Sequence, residues 1–271
     1  KQIFVYEKSK KNRRILKKFK IKFELIKKMD KKISECDFVV ICAPLSEYQR
    51  IFSLCNKHLK KNVVVTDVGS TKKSIITKIN KIKRKDINWI SSHPIAGSEV
   101  SGPSNGDENL FTNKWSVIIK QKNLSSGKMK KIIKFWKLLG SKTVIMDADQ
   151  HDKIFAITSH LPHLIAYNLI LTATNFKSSN KNNILKFSAG GLRDFSRIAA
   201  SNEIMWRDIF FDNKINMLKV IDLFINNLII FKREIKQNKK SLEIKLKKLK
   251  KVRQKIILLK QDTSKPDFGR I

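Results

Sequence analysis

The sequence predicts an α/β domain followed by an all-α domain, on three observations. Up to residue 148, short apolar runs of strand length alternate with stretches whose apolar residues recur at helical spacing, the pattern of a sheet with helices on its faces. From residue 149 to 271 the strand-like runs stop and the spacing is helical. The chain has 271 residues but only 9 Gly and 5 Pro, which excludes a disordered or fibrous protein and leaves length enough for two cored domains, expected at 1–148 and 149–271.

The first segment, Gln2-Ile3-Phe4-Val5-Tyr6-Glu7, reads as a strand ending in an acidic residue, with a basic helix from about Ser9. In a dinucleotide-binding fold such a residue closes the second strand and hydrogen-bonds the adenosine ribose. Glu7 then favours NAD over NADP, although Lys8, Lys10 and Lys11 soften the preference; an exposed strand-end glutamate is the plain alternative. The phosphate-binding turn belongs before this strand, yet the first glycine is Gly69 and no Gly-x-Gly-x-x-Gly occurs. The expectation is a Rossmann-like nucleotide-binding domain lacking its first strand. About 30 upstream residues, the size of a strand, turn and helix start, are expected to complete it, because the gap would leave two apolar edges unpaired.

Lys22 to Ile26 suggests a short strand, and Phe38 to Pro44 is an apolar run of the kind buried on both faces. The loop that closes it, Cys42-Ala43-Pro44, should lie under the nicotinamide half of the cofactor. A helix is expected from Ser46 to His58, then a strand from Asn62 to Thr66. In the turn Asp67 to Lys72, Gly69 suits a positive φ and Ser70 an N-cap. Ile87 to Ile90 reads as a strand that delivers His93 to a Gly- and Ser-rich loop, at the sheet end where α/β folds keep their sites. A lone histidine there is more often an orienting or core residue than a catalyst. Strands at Trp115–Lys120 and Val144–Met146 flank a helix, Met129–Leu139, capped by Gly140.

In the second half a long helix over 149–172 carries His151, His160 and His163. His160 and His163 share a face, but Pro162 between them and the lack of His-Glu-x-x-His argue against zinc, so no metal is expected. After Gly190-Gly191 come Arg193, Asp194 and Arg197, which suit either a salt-bridge knot or, through Arg197, a fork onto a substrate carboxylate worth about 1.5–3 kcal/mol. A long helix is expected from Trp206 through Phe224, and another from Leu242 to Leu259. Their apolar stripes are broad enough for a shared homodimer core.

The net charge of +35, from 58 Lys+Arg against 23 Asp+Glu, would suit nucleic acid or an anionic membrane. The excess is mostly lysine spread over every segment among abundant Ile, Asn and Phe, so we read it as compositional drift, with no specific nucleic-acid partner and no membrane. Arginine, the better reader of phosphate, is sparse. Cys36, Cys42 and Cys55 read as reduced thiols of a cytoplasmic protein. The continuous apolar runs, such as Phe38 to Pro44, are too short to span a bilayer.

Four blocks carry a resemblance: DVGSTK at 67–72, HPIAGSE at 93–99, HDKIFAITSHLPHLIAY at 151–167 and GGLRDFSRIAASNEIMWRDI at 190–209. In this order they resemble the prephenate/arogenate (cyclohexadienyl) dehydrogenase family of tyrosine biosynthesis, over nearly the whole chain. The resemblance implies NAD-dependent oxidative decarboxylation, with His93 as the base and Ser70 beside it, orienting the histidine or the substrate hydroxyl. It also implies His163 in the substrate pocket, Arg197 on a carboxylate, Glu99 as a gate or ionic partner, and Trp206 near the pocket at the dimer interface. Two alternatives remain at this point: a β-hydroxyacid-type dehydrogenase, which would need a lysine where His160-Leu161-Pro162-His163 stands, and a non-catalytic basic scaffold.

Overall fold

The computed structural model describes residues 2–97, 100–121, 124–176, 185–238 and 240–259. In the first half β1 (Phe4–Tyr6) leads to α1 (Lys10–Leu16) and returns as β2 (Glu24–Ile26), parallel to β1. Next come β3 (Phe38–Ile41), α2 (Tyr48–Asn56), β4 (Val64–Asp67), α3 (Lys73–Ile82) and β5 (Asn88–Trp89), the three strands forming one parallel ladder in that order. A third ladder holds β6 (Ser92–Pro94) antiparallel to β7 (Trp115–Ile119), with α4 (Ser126–Leu138) crossing over to β8 (Lys142–Met146), parallel to β7.

The chain from β5 to β6 hands the second ladder to the third. The Ile90 N–H donates to the Val65 carbonyl at 2.9 Å, and one residue later the Ser91 carbonyl accepts from the Ile119 N–H at 2.9 Å. His93 therefore stands just past the point where the chain leaves β4. That seam is polar and fully buried. The Lys72 ammonium meets the Asp67 carboxylate at 2.6 Å and the Ser91 hydroxyl at 3.2 Å, and the Trp136 Nε1–H donates to the Ser92 hydroxyl at 3.0 Å. Every member has a partner, as burial of such groups requires.

Three expectations change here. Of β3 only Ile41 is buried: β3 is an edge of its ladder, on the side where the missing first strand was expected between it and β1, and β1 belongs to a separate ladder. Gly69 does not have a positive φ. A glycine is required for space instead: a Cβ there would lie 2.6 Å from Leu45 Cδ2 and 3.1 Å from the Asp67 carboxylate. Nor does Ser70 cap α3. The N–H groups of Lys72 and Lys73 donate, each at 2.9 Å, to the two carboxylate oxygens of Asp152, from the other half of the chain.

The second half is helical. The expected long helix is α5 (Ala148–Phe155) and α6 (Leu161–Asn175) joined by a π-turn, Ala156–His160. Then come α7 (Gly190–Ala199), α8 (Glu203–Asp212), α9 (Lys214–Lys236) and α10 (Ser241–Leu258). The helix expected from Trp206 onward breaks between α8 and α9. Asn213 sits at the joint, its amide donating to the Asp152 carbonyl at 2.8 Å and bonding His160 Nδ1 at 3.1 Å. By length and composition alone Ala148–Asn175 could cross a membrane, since an 18-residue window within it has a mean hydropathy of 1.4, which the reading of continuous runs alone misses. Its first turns nevertheless carry Asp149 and Asp152, both bonded to α3 residues.

Acidic side chains clasp the halves together. Besides Asp152, Asp208 accepts from the Ser46 N–H at 3.1 Å, and Asp212 takes the Ser74 hydroxyl at 2.9 Å and the Lys78 ammonium at 2.7 Å. Trp206 and Ile209 of α8 join the apolar core of the first half, packed among Phe52, Ile75 and Trp89. Ile209, expected on an intersubunit stripe, is thus core.

Candidate active site

His93 lies on β6, which pairs along its whole length with β7 and is tied at its start to β4 by the Ser92 hydroxyl, which donates to the Asp67 carbonyl at 2.8 Å. Its Nδ1 is 2.8 Å from Nε2 of His151. His151 Nδ1 is in turn 2.8 Å from Oδ1 of Asp152, the carboxylate that caps α3. The Phe155 ring packs edge-on to His93, 4.8 Å between centroids, and covers the pair. Burial pulls His93 well below the ordinary imidazole value, and His151, Lys72 and His160 add to this. His151 is also lowered by burial, against the pull of Asp152, and His160 falls to about 4, chiefly through burial. The ring at the cavity is therefore neutral near pH 7, the state a general base needs.

A cavity of about 330 Å³ opens between the halves, a size suited to a small-molecule ligand. His93, Ser70, His163, Arg197 and Trp206 all line it, with Ser159, Phe155 and the loop Pro94–Gly97. His163 Nδ1 is 2.9 Å from the Ser159 carbonyl and its ring stacks on Trp206, 3.6 Å between centroids with a 21° tilt. A carbonyl can only accept, so Nδ1 carries the proton and Nε2 of neutral His163 is an acceptor. Among the described residues the buried Trp206 Nε1–H has no acceptor, so the stacked pair offers one donor and one acceptor.

Five sequence-predicted residues thus converge, from four separate elements and the β4–α3 turn. The hydrogen bond that orients His93 comes from His151, whereas Ser70 lines the wall nearby. Glu7, Cys42, Ala43 and Pro44 do not line this cavity, and Glu99 lies outside the described residues. Sequence reasoning missed the roles of His151, Asp152 and Lys72. The adjacent His151-Asp152 was the available signal, but it read as a domain junction.

The residues at the carboxyl ends of β1 and β3 suit a nucleotide in part. One Glu7 carboxylate oxygen accepts from the Ser9 N–H at 2.7 Å, which steadies the group where a ribose diol would bond it. The close approach at Gly69 keeps the turn beside the cavity thin. The sequence holds no glycine-rich turn for a pyrophosphate. Among the described residues no three His, Cys, Asp or Glu side chains are grouped to hold a metal ion.

Two family models match the chain in succession: the nucleotide-binding domain of prephenate dehydrogenase over residues 1–145 and its dimerization domain over residues 147–251. A cyclohexadienyl dehydrogenase of Zymomonas mobilis is 34% identical over 72% of this chain and 67% of its own length. A prephenate dehydrogenase of Lactococcus lactis is 30% identical over 81% of this chain. The match to that relative spans only 61% of its length. Among solved structures, prephenate dehydrogenase from Aquifex aeolicus, in complex with hydroxyphenyl propionate and NAD+, superposes with a TM-score of 0.84 at 30% identity, covering 94% of this chain and 88% of that one. Synechocystis arogenate dehydrogenase shares the fold, with a TM-score of 0.76 at 20% identity over 93% of this chain and 90% of that one.

Proposed function

This chain belongs to the prephenate dehydrogenase family, and on that premise we propose that it oxidatively decarboxylates prephenate, arogenate or both with NAD, forming 4-hydroxyphenylpyruvate or tyrosine. The observation that carries the proposal is the convergence of a neutral, buried imidazole and a guanidinium, His93 and Arg197, on one cavity. The β-hydroxyacid and scaffold alternatives have no comparable support.

The substrate presents a ring carbon bearing H and OH opposite a quaternary carbon bearing a carboxylate. When bound, the nicotinamide accepts the hydride from that first carbon. His93 takes the hydroxyl proton as the hydride leaves; the opposite carboxylate departs as CO2, its bonding pair entering the ring, which becomes aromatic, and the phenolate oxygen so formed takes the proton back from His93. Aromatisation provides the driving force, so the protein has to align and deprotonate. Arg197 forks onto a substrate carboxylate, and Ser70 and the His163–Trp206 pair offer polar groups to the rest of the ligand. Glu7 supports NAD over NADP, as an anion beside a ribose repels a 2′-phosphate. Glu99, two residues beyond Gly97 of the cavity wall, is assigned as gate or ionic partner to the same substrate.

The assembly proposed is a homodimer. Helices α9 and α10 bury only Met217 between them and expose Leu218, Ile225, Leu228, Leu246, Leu249 and Val252, apolar surface that a second copy would cover. The three free thiols favour a reducing compartment, the cytoplasm.

The test is NADH absorbance with prephenate and with arogenate. Turnover is expected with at least one, and His93→Asn should retain substrate affinity while losing about 10²–10⁴ in rate. No turnover with either substrate, or full turnover in the variant, would overturn the reading.

A further inference from the structure

We propose that His151 and Asp152 form a tautomer relay that sets which nitrogen of His93 is the base and shares the proton it receives; the catalytic part of this rests on the function proposed above. The argument runs from the carboxylate inward. Both oxygens of Asp152 already accept backbone N–H groups, from Lys72 and Lys73 at 2.9 Å each, so Asp152 faces His151 as an acceptor. His151 Nδ1, 2.8 Å away, must then carry the proton. Neutral His151 is left with a bare Nε2, which can only accept. His93 Nδ1, 2.8 Å from it, must therefore carry its own proton. That leaves the lone pair of His93 on Nε2, the nitrogen turned away from His151 and available to the cavity that His93 lines.

The same chain handles the proton afterwards. The substrate O–H bond breaks and the N–H bond forms at His93 Nε2, making His93 cationic. Its Nδ1–H then moves along the hydrogen bond to His151 Nε2, where the charge stands against the Asp152 carboxylate. One proton enters the pair, and it returns through His93 Nε2 to the phenolate oxygen once CO2 has gone. The surroundings favour that displacement. Lys72, of the turn into α3, opposes charge on both rings and His160, of the π-turn, opposes it on His93, while Asp152, bonded to His151, and Asp67 draw it to His151 alone. Phe155 packs on both rings, 4.8 and 4.5 Å between centroids, and fixes their mutual geometry. His151 is thus a positioning residue; it does not line the substrate cavity.

The unaltered protein tests this through side-chain nitrogen NMR of 15N-histidine-labelled chain at neutral pH, which reads the protonated nitrogen of each ring. The His93 and His151 signals are identified by their loss in His93→Asn and His151→Gln. Both rings are expected protonated at Nδ1 and bare at Nε2; a neutral His93 or His151 protonated at Nε2 would overturn the relay. In kinetics, His151→Leu removes the acceptor and should lower kcat about 10- to 100-fold with KM within about twofold, the scale for losing a group that orients an imidazole. His151→Gln, whose amide oxygen can still accept from His93 Nδ1–H but cannot take its proton, should recover only part of that loss. Equal kcat in His151→Leu and the unaltered protein, or no advantage of Gln over Leu, would overturn it. The spectra need neither substrate nor cofactor, so their failure strikes the relay alone, whereas absent turnover in the unaltered protein strikes the reaction.

Discussion

Gly69 illustrates how far single residues could be read. A glycine in the turn was legible, but its reason was not: sequence suggests a positive φ, whereas the structure uses the missing Cβ to let Leu45 and Asp67 close over the turn. Gly69→Ala should therefore destabilise the fold by about 1–3 kcal/mol, the range for overpacking a filled site, read as a lower urea midpoint with an unchanged slope. Had backbone conformation been the cause, the cost would come without any displacement of Leu45. His93, Ser70, His163, Arg197 and Trp206 were legible as cavity residues because each sits in a motif that ties residue type to position. The partners of His93 were not, since His151 lies 58 residues away and only the docking of α5 against α3 brings the two rings together.

At the scale of elements, strands and helices followed from apolar spacing to within a few residues, and the errors fell where tertiary bonds decide. The π-turn at Ala156–His160 adds a residue to one turn inside an otherwise helical pattern, and its carbonyls and rings face His163, Asn213 and the cavity. Such bulges mark functional sites often enough to be worth looking for, yet no periodicity reveals one. The break at Asn213 is of the same kind. The stripes on α9 and α10 were legible because they remain uncovered. Replacing Leu218 and Ile225 by Lys on α9 should convert the proposed dimer to monomer in sedimentation, with far-ultraviolet circular dichroism unchanged; a persistent dimer would move the interface elsewhere.

For the whole molecule, a nucleotide-binding half followed by a helical half was readable in the switch from alternating to purely helical spacing, expected after residue 148. The way the halves meet was not. Four imidazoles, of His93, His151, His160 and His163, lie at that junction and are all held below the ordinary value, chiefly by burial. Unfolding lets each take up a proton near pH 6.5, its unperturbed value, so the unfolded chain binds more protons and stability must fall with falling pH. The contribution is complete above that unfolded value and is lost toward the folded values, about 4 for His160. Urea midpoints should hold steady from pH 8 to about 7 and decline from about 6.5 toward 4. A midpoint rising on acidification would contradict the burial of these rings.

The carboxylate that closes the start of α3 has one further consequence. Asp152 is borrowed from across the junction, so the sheet half cannot finish its own helix and the helical half cannot shelter its own acid. Each is left with an unmet electrical need that only the other fills. Through this one buried carboxylate the start of α3 and the body of α5 are held to each other. The acid that completes the fold is thus the same one that is bonded to His151, the ring behind His93.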